Sequence, residues 1–538
     1  MGIAPLVAQA VVMSAVALAV ARVSVAGMSP GCSGDCGGDG VVSIADLVAG
    51  VGIALDHQPA LTCPAMDANG DNAVSITELI AAVGAALNGC PATPTAPTAP
   101  VPTETPPAPP SASPTETATG APPTTVVPPS PTPTNTPIVP TPGDFCALPG
   151  SLQFTAVGPN LVPGAPAGTP DLGFLSLPVG FCVHHFANVG NTRQLRFAPS
   201  GELFVASPTK FTTGNGQRGQ AAIVVLADDD ANGFADAPTT FLANLPATAG
   251  MVFTGGYLYY QDNTHIRRVP YSPGQRTAMG ASEDVVAIEH YTSFLHWPKP
   301  LDVADDGTIY VGNGGDEGEP CNVANRPFTG GILAIDGTPG GAQIAKGFRN
   351  PISLRCLRGR NLCFAIELAR DYSNAQGGRE KLLPIRAGDD WGFPCCATKD
   401  RAYSDLRNPV PDCSGVSAEI DSFYIGHTPF DLDYVTSAWP EPWNHRAYVP
   451  LHGVFGSWSG ARVVGIELDE MTGYVLPGSD LPGTPKGAMA DFATGWDDGS
   501  MSHGRPAVVA VSADGRLFLG NDNTGDIIWI APMSLSAP

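Results

Sequence analysis

The sequence predicts an all-β six-bladed β-propeller as the main domain, with a small all-α module ahead of it. Three observations point there. Six short β-rich runs recur after residue 200, at start-to-start spacings of 55, 51, 54, 83 and 71 residues. Each run is followed by a second, and no long helical period interrupts the pairs, which is the signature of repeated four-stranded blades. A Pro/Thr-rich run then separates this region from two duplicated acidic loops near the N-terminus.

Length and charge bound the reading. At 538 residues the chain is too long for one compact domain. Its net charge of −23 comes from 27 basic and 50 acidic residues, which excludes nucleic acid and anionic membrane as natural partners.

Met1 to Ala26 is apolar, rich in Ala and Val, and ends on the small residues Ser24-Val25-Ala26. It reads as a secretory signal peptide (residues 1–26), so the mature chain is expected to be secreted, extracellular or periplasmic. Behind an export signal, twelve cysteines imply disulfides. Four precede the linker and eight follow it, so each part is expected to close its own bridges. Cys356 and Cys363 flank a turn and form the expected local bridge.

Residues 27–91 hold two similar segments 32 residues apart, beginning at Asp35 (DCGGDGVVSIAD) and Asp67 (DANGDNAVSITE). Both place oxygen donors at loop positions 1, 5, 9 and 12, a spacing that wraps backbone around calcium. Side-chain donors are Asp35, Asp39 and Asp46 in the first loop, and Asp67, Asn69, Asp71 and Glu78 in the second. Val41 and Ala73 offer carbonyls. Each loop leads into one apolar helix, expected over Leu47 to Leu55 and Leu79 to Leu87. One loop and one helix per repeat, duplicated, resembles a type I dockerin, which implies a cohesin-like or cell-surface protein partner.

Residues 92–142 are almost wholly Pro, Thr, Ala and Ser. Such a composition cannot bury a core, and it reads as a disordered, extended linker.

Residues 143–538 carry the repeats. The first runs are Gly201 to Ser207, Gly256 to Tyr260, Gly307 to Asn313, Asn361 to Leu368, Asn444 to Leu451 and Gly515 to Asn521. The second runs are Ala222 to Leu226, His265 to Val269, Gly331 to Gly337, Lys381 to Ile385, Arg462 to Leu468 and Asp526 to Ile530. Several first runs follow a Ser-Gly or Asp-Gly turn, as hairpins prefer. The two longer spacings leave room for insertions.

Several motifs in this domain coincide with one family. His296 lies 14 residues before Tyr310 in an Asp-Gly strand, and Arg349-Asn350-Pro351 follows the next strand. Glu367 to Arg370, Glu380 and Trp391-Gly392-Phe393-Pro394 come after it. His427, His452-Gly453, Ser457-Trp458, Arg462, Arg505-Pro506 and Asp514-Gly515 complete the set. From Asn188 to Ile530 the chain resembles the soluble quinoprotein glucose/sorbosone dehydrogenases. That resemblance implies a six-bladed propeller oxidising an aldose or sugar aldehyde, with pyrroloquinoline quinone and calcium as cofactors and an external electron acceptor. It implies His296 as general base and Arg349 as a catalytic and quinone-facing cation. It further implies Asn350, Glu367 and Arg462 at the cofactor, and Glu367 with the Ala369 carbonyl at a propeller calcium. The chemistry is coherent: a near-neutral base suits removal of a hydroxyl proton, and cations suit charge developing on a quinone. The rival reading is a non-catalytic propeller that binds glycan or protein at the cell surface, displayed through the N-terminal module.

Overall fold

The computed structural model describes residues 32–36, 42–54, 63–68, 74–88, 145–210, 217–288, 296–315, 330–335, 341–406, 409–436 and 439–533. The signal peptide, the linker and the ligand candidates Asp39, Asn69 and Asp71 lie outside these residues. The chain divides into two units, Met1–Pro129 and Ser130–Pro538.

In the first unit two helices form, α1 (Ile44–Ala54) and α2 (Ile76–Asn88). Both begin three residues earlier than the apolar pattern suggests, and the cause is capping. The Ser43 amide and hydroxyl donate to the Asp46 carboxylate at 2.7 and 2.5 Å, and Ser75 does the same to Glu78 at 2.9 Å each. Each is a capping box, which satisfies amides that the first helical turn leaves open. Val42, Ile53, Cys63, Met66, Val74 and Ala82 make a small core, and the Cys36–Cys63 disulfide ties one repeat to the other.

The second unit is a six-bladed propeller. Each blade is an antiparallel sheet of four strands whose first strand lies innermost, and the sheet of blade six is extended by the outer hairpin Leu152–Thr155 and Gly158–Leu161. The innermost strands of blades one to six are Gln194–Phe197, Met251–Thr254, Leu301–Val303, Asn350–Leu357, Asp433–Val435 and Arg505–Val511. The twelve runs recognised in the sequence supply the second and third strands of the blades. In blade one both are buried along their whole length, which is why they read as continuous apolar runs. Adjacent blades pack face to face; Phe204 of blade one meets Phe253 of blade two with ring centroids 4.9 Å apart.

Closure joins the two ends of the domain. Blade six takes three strands from the C-terminal end, and its fourth is Phe181–Asn188 from the N-terminal side, with Val183 opposite Ile530. Pairing the two ends removes the open sheet edges that a broken ring would expose. Cys146–Cys182 anchors this closing strand. Cys356–Cys363 bridges directly opposed residues of a hairpin, as expected, and Cys396–Cys413 staples an insertion in blade four. Cys32 and Cys395 are also disulfide-bonded.

Two arginines fill the axis. Arg355 of blade four donates to the carbonyls of Leu195 (3.2 Å), Leu432 (2.8 Å) and Val509 (2.7 Å), and pairs with Asp431 at 2.9 Å. It therefore binds blades one, five and six to its own. Arg196 of blade one donates to Met251 O at 3.1 Å and Leu301 O at 3.0 Å, and pairs with Asp302 at 3.1 Å, adding blades two and three. Innermost strands at a propeller axis leave carbonyls facing the channel. The two guanidiniums satisfy several of them at once.

Candidate functional site

One end of the propeller is where innermost strands begin and second strands end. His296 stands on the segment leading into the innermost strand of blade three, and Arg349 on the segment leading into that of blade four. The structure brings them together through Gly315, which follows the second strand of blade three. His296 Nδ1 lies 2.7 Å from Gly315 O, and Gly315 N donates to Arg349 O at 2.7 Å. A carbonyl oxygen only accepts, so Nδ1 carries a proton, and in the neutral ring the lone pair is on Nε2. Glycine is required at the neighbouring position: a Cβ on Gly314 would fall 2.6 Å from His296 Cβ.

Arg349 is held on three sides. Its Nη1 donates to Ala369 O at 2.7 Å and its Nη2 to Asp371 Oδ2 at 2.7 Å. Its own amide and that of Asn350 donate to the two oxygens of Glu367, at 2.7 and 3.2 Å. Glu367 is buried, and burial pushes its carboxyl up to about 7 against the pull of Lys381 and Arg349. Glu380, beside them, is pushed well above its ordinary value by burial; it accepts the Thr428 amide at 2.9 Å. The side-chain oxygen of buried Asn350 makes no hydrogen bond within the protein.

Two groups of expected site residues are engaged elsewhere within the protein. Glu367 and the Ala369 carbonyl were expected to ligate calcium. Both Glu367 oxygens are engaged by amides, and Ala369 O is engaged by the Arg349 guanidinium. The Arg349 guanidinium on Ala369 O sets a positive charge beside these donors, which disfavours a calcium ion among them in this arrangement. Arg462, expected at the cofactor, lies on the third strand of blade five, away from the axis. It pairs with Asp480 and, at 2.8 Å, with Asp491, while Asp480 also holds His427 Nδ1 at 2.6 Å. These four form a separate cluster on the rim.

In the N-terminal unit, Asp35 and Asp67 lie in the loops, while Asp46 and Glu78 cap the helices. Among the described residues no group of three or more His, Cys, Asp or Glu is placed to hold a metal.

The structure adds residues that the motifs did not single out as a site. His452 and Asp522 end second strands at the same mouth, with Nε2 and Oδ2 3.2 Å apart. Arg193 pairs with Asp522 at 3.1 Å, and Arg505 donates to His452 O at 2.8 Å and Gly453 O at 3.0 Å. Burial, then Arg505, lowers His452 to about 3, so its imidazole stays neutral. Burial alone would raise Asp522, yet Arg193 and His452 hold it far below the usual carboxylate range.

A pattern emerges across blades. Arg193, Lys299, Arg349 and Arg505 each stand at the start of an innermost strand or within two residues before it. Four of six blades thus deliver a cation to one mouth of an acidic protein. Tyr372, next to Asp371, is 93% exposed there, and Phe455, whose ring lies 6.0 Å from Arg505, is 70% exposed.

No family model and no curated protein matches the chain. Solved structures do. The iodide structure of a Trichoderma reesei protein of Carbohydrate-Active Enzymes Family AA12 aligns at 17% identity over 69% of this chain and 99% of that one, with a TM-score of 0.55. The calcium structure from the same source aligns at 16% identity over 68% and 98%, also with a TM-score of 0.55. The PQQ-bound aldose sugar dehydrogenase of Streptomyces coelicolor aligns at 18% identity over 66% and 99%, with a TM-score of 0.43. At such identities the AA12 likeness speaks for a shared fold, and that fold is the propeller described above.

Proposed function

We propose that the propeller is an oxidoreductase of aldoses or sugar aldehydes that uses pyrroloquinoline quinone at the His296–Arg349 mouth. The observation that carries this reading is the ring of cations. In a chain of net charge −23, Arg193, Arg349 and Arg505 gather where a tricarboxylate quinone would need counter-charge. Asn350, buried with its oxygen unused by the protein, suits a polar ligand. When bound, the quinone would supply the two-electron acceptor for a hydride. His296 takes the proton of the sugar hydroxyl on Nε2, because Gly315 holds its proton on Nδ1. Arg349 orients and neutralises negative charge beside it. The sugar loses one hydride and one proton, and an external acceptor later removes the electrons. No step is assigned to calcium in the propeller, since its expected donors are occupied.

The test is dye-linked oxidation of an aldose panel by the full chain with added pyrroloquinoline quinone. His296→Ala should lower turnover by about 10²- to 10⁴-fold with the melting temperature nearly unchanged. Arg349→Ala should weaken quinone binding as well. Absence of dye reduction across the panel would remove the reading.

Exposed Tyr372 and Phe455 favour a second one: a non-catalytic propeller whose rim aromatics stack on glycan. Glycan binding without dye reduction would establish it. The N-terminal unit, in either reading, displays the propeller through a calcium-dependent, cohesin-like partner.

A further inference from the structure

Lys299 stands three residues after His296 and is 1% exposed. Among the described residues no carboxylate pairs with it. Its Nζ has one hydrogen bond, a 3.5 Å contact to His296 O. The charged group nearest to it in effect is another cation, Lys210 of blade one, whose Nζ lies 5.6 Å from the Trp297 ring. Arg349 has Asp371 and Arg193 has Asp522, but Lys299 has no such partner.

The backbone around it is tightly built. Gln261 Oε1 accepts the amides of Lys299 (3.0 Å) and Ala249 (3.1 Å), while its Nε2 donates to Trp297 O at 2.7 Å. A Cβ on Gly250 would fall 2.0 Å from Lys299 O. The lysine therefore cannot swing out on a loose loop. An ammonium buried without a counter-ion costs several kcal/mol, which is relieved by losing its proton or by gaining an anion. Burial, then Lys210, pushes Lys299 down to about 7, so the first form of relief is half used at neutral pH.

We infer that Lys299, with Lys210 beside it, is a subsite for the carboxylate of an acidic sugar, so that the substrate is a uronic acid or a glycan ending in one. This rests on the sugar-oxidising reading and names the substrate class for that mouth. The placement favours a substrate carboxylate over a cofactor carboxylate. Lys299 shares its segment with His296, so whatever it binds is held next to the group that receives the hydroxyl proton. Among the described residues, the groups facing Lys299 are Lys210 from blade one, the His296 carbonyl from its own segment and neutral Gln261 from blade two. None of them competes for an anion.

Linkage gives a signature that a merely structural lysine would lack. A carboxylate binds the protonated ammonium and raises its proton affinity. Above pH 7 the free lysine is mostly neutral, so binding must take up a proton. Affinity should fall about tenfold per pH unit between pH 7.5 and 9, with uptake near about 0.9 proton at pH 8.

The experiment is isothermal titration of the full chain with glucuronate, galacturonate and glucose, in buffers of different ionisation enthalpy from pH 6.5 to 9. Uronates should bind with that slope and proton uptake, and glucose with neither. Lys299→Met should lose about ten- to hundredfold of uronate affinity and the slope, leaving glucose unchanged. Because the wild-type slope needs no variant, a poorly folded Lys299→Met does not protect the inference. Uronates that bind no better than glucose, or bind without the slope, overturn it. A second arm follows quenching of protein fluorescence by pyrroloquinoline quinone. If Lys299→Met loses quinone binding while uronates show no slope, the carboxylate belongs to the cofactor and the inference fails. Slope-bearing uronate binding without dye reduction would instead sink the oxidoreductase reading and leave the subsite standing.

Discussion

Replacing Arg355 with methionine should destabilise the propeller by about 3–5 kcal/mol, the range for removing one partner of a buried ion pair. The geometry explains the size. The guanidinium satisfies three carbonyls from three other blades and neutralises Asp431, which is 3% exposed. Methionine fills much of the volume but restores none of those bonds. Asp431 would keep the Ser353 hydroxyl at 2.5 Å and the Val509 amide at 3.0 Å, yet lose its counter-charge. The assay is urea unfolding followed by tryptophan fluorescence. With a slope of about 3 kcal/mol/M the midpoint should fall by about 1–1.7 M. Pairing Arg355→Met with Asp431→Leu should recover more than half of the loss, because a buried pair is often replaceable by apolar groups. A loss below about 1 kcal/mol for Arg355→Met would refute the idea that this residue locks the axis.

Three further outcomes are expected. Asp421 is fully buried, and burial pushes it up to about 8 against the pull of the Gly478 backbone amide. A raised carboxyl stabilises the fold only while protonated, so stability should fall as pH rises from about 4 to 8. Asp421→Asn should flatten that fall and exceed wild type at pH 8 by more than about 1 kcal/mol, read by thermal melting across pH. Arg462→Met should leave quinone affinity within about twofold in the fluorescence titration, since Arg462 serves the rim cluster with Asp480 and Asp491. In the N-terminal unit, Glu78→Gln should weaken calcium binding by the full chain at least about tenfold by calorimetry, while Glu367→Gln leaves it unchanged.

The sequence by itself determined the fold class and the blade count. In blade one the second and third strands are buried on both faces, so Leu203–Ser207 and Ala222–Leu226 announce themselves as apolar runs. It also brought out His296 and Arg349, through the family resemblance that their motifs carry. The capping serines set the helix starts, but local hydrogen bonding outweighed the apolar pattern there. The innermost strands stayed hidden. Leu301–Val303 and Asp433–Val435 are three residues long, too short to show a period, and they carry the polar groups that line the axis. The cations that depend on them, Arg193, Lys299 and Arg505, were therefore invisible as a set. Tertiary structure alone decided which charges meet: that Arg349 stands on the Ala369 carbonyl, that Arg462 turns to Asp480, and that Lys299 meets no carboxylate among the described residues. Pairing across blades joins residues far apart in the chain, as when Arg355 reaches Leu195 and Val509, and no local pattern encodes a contact that ring closure creates.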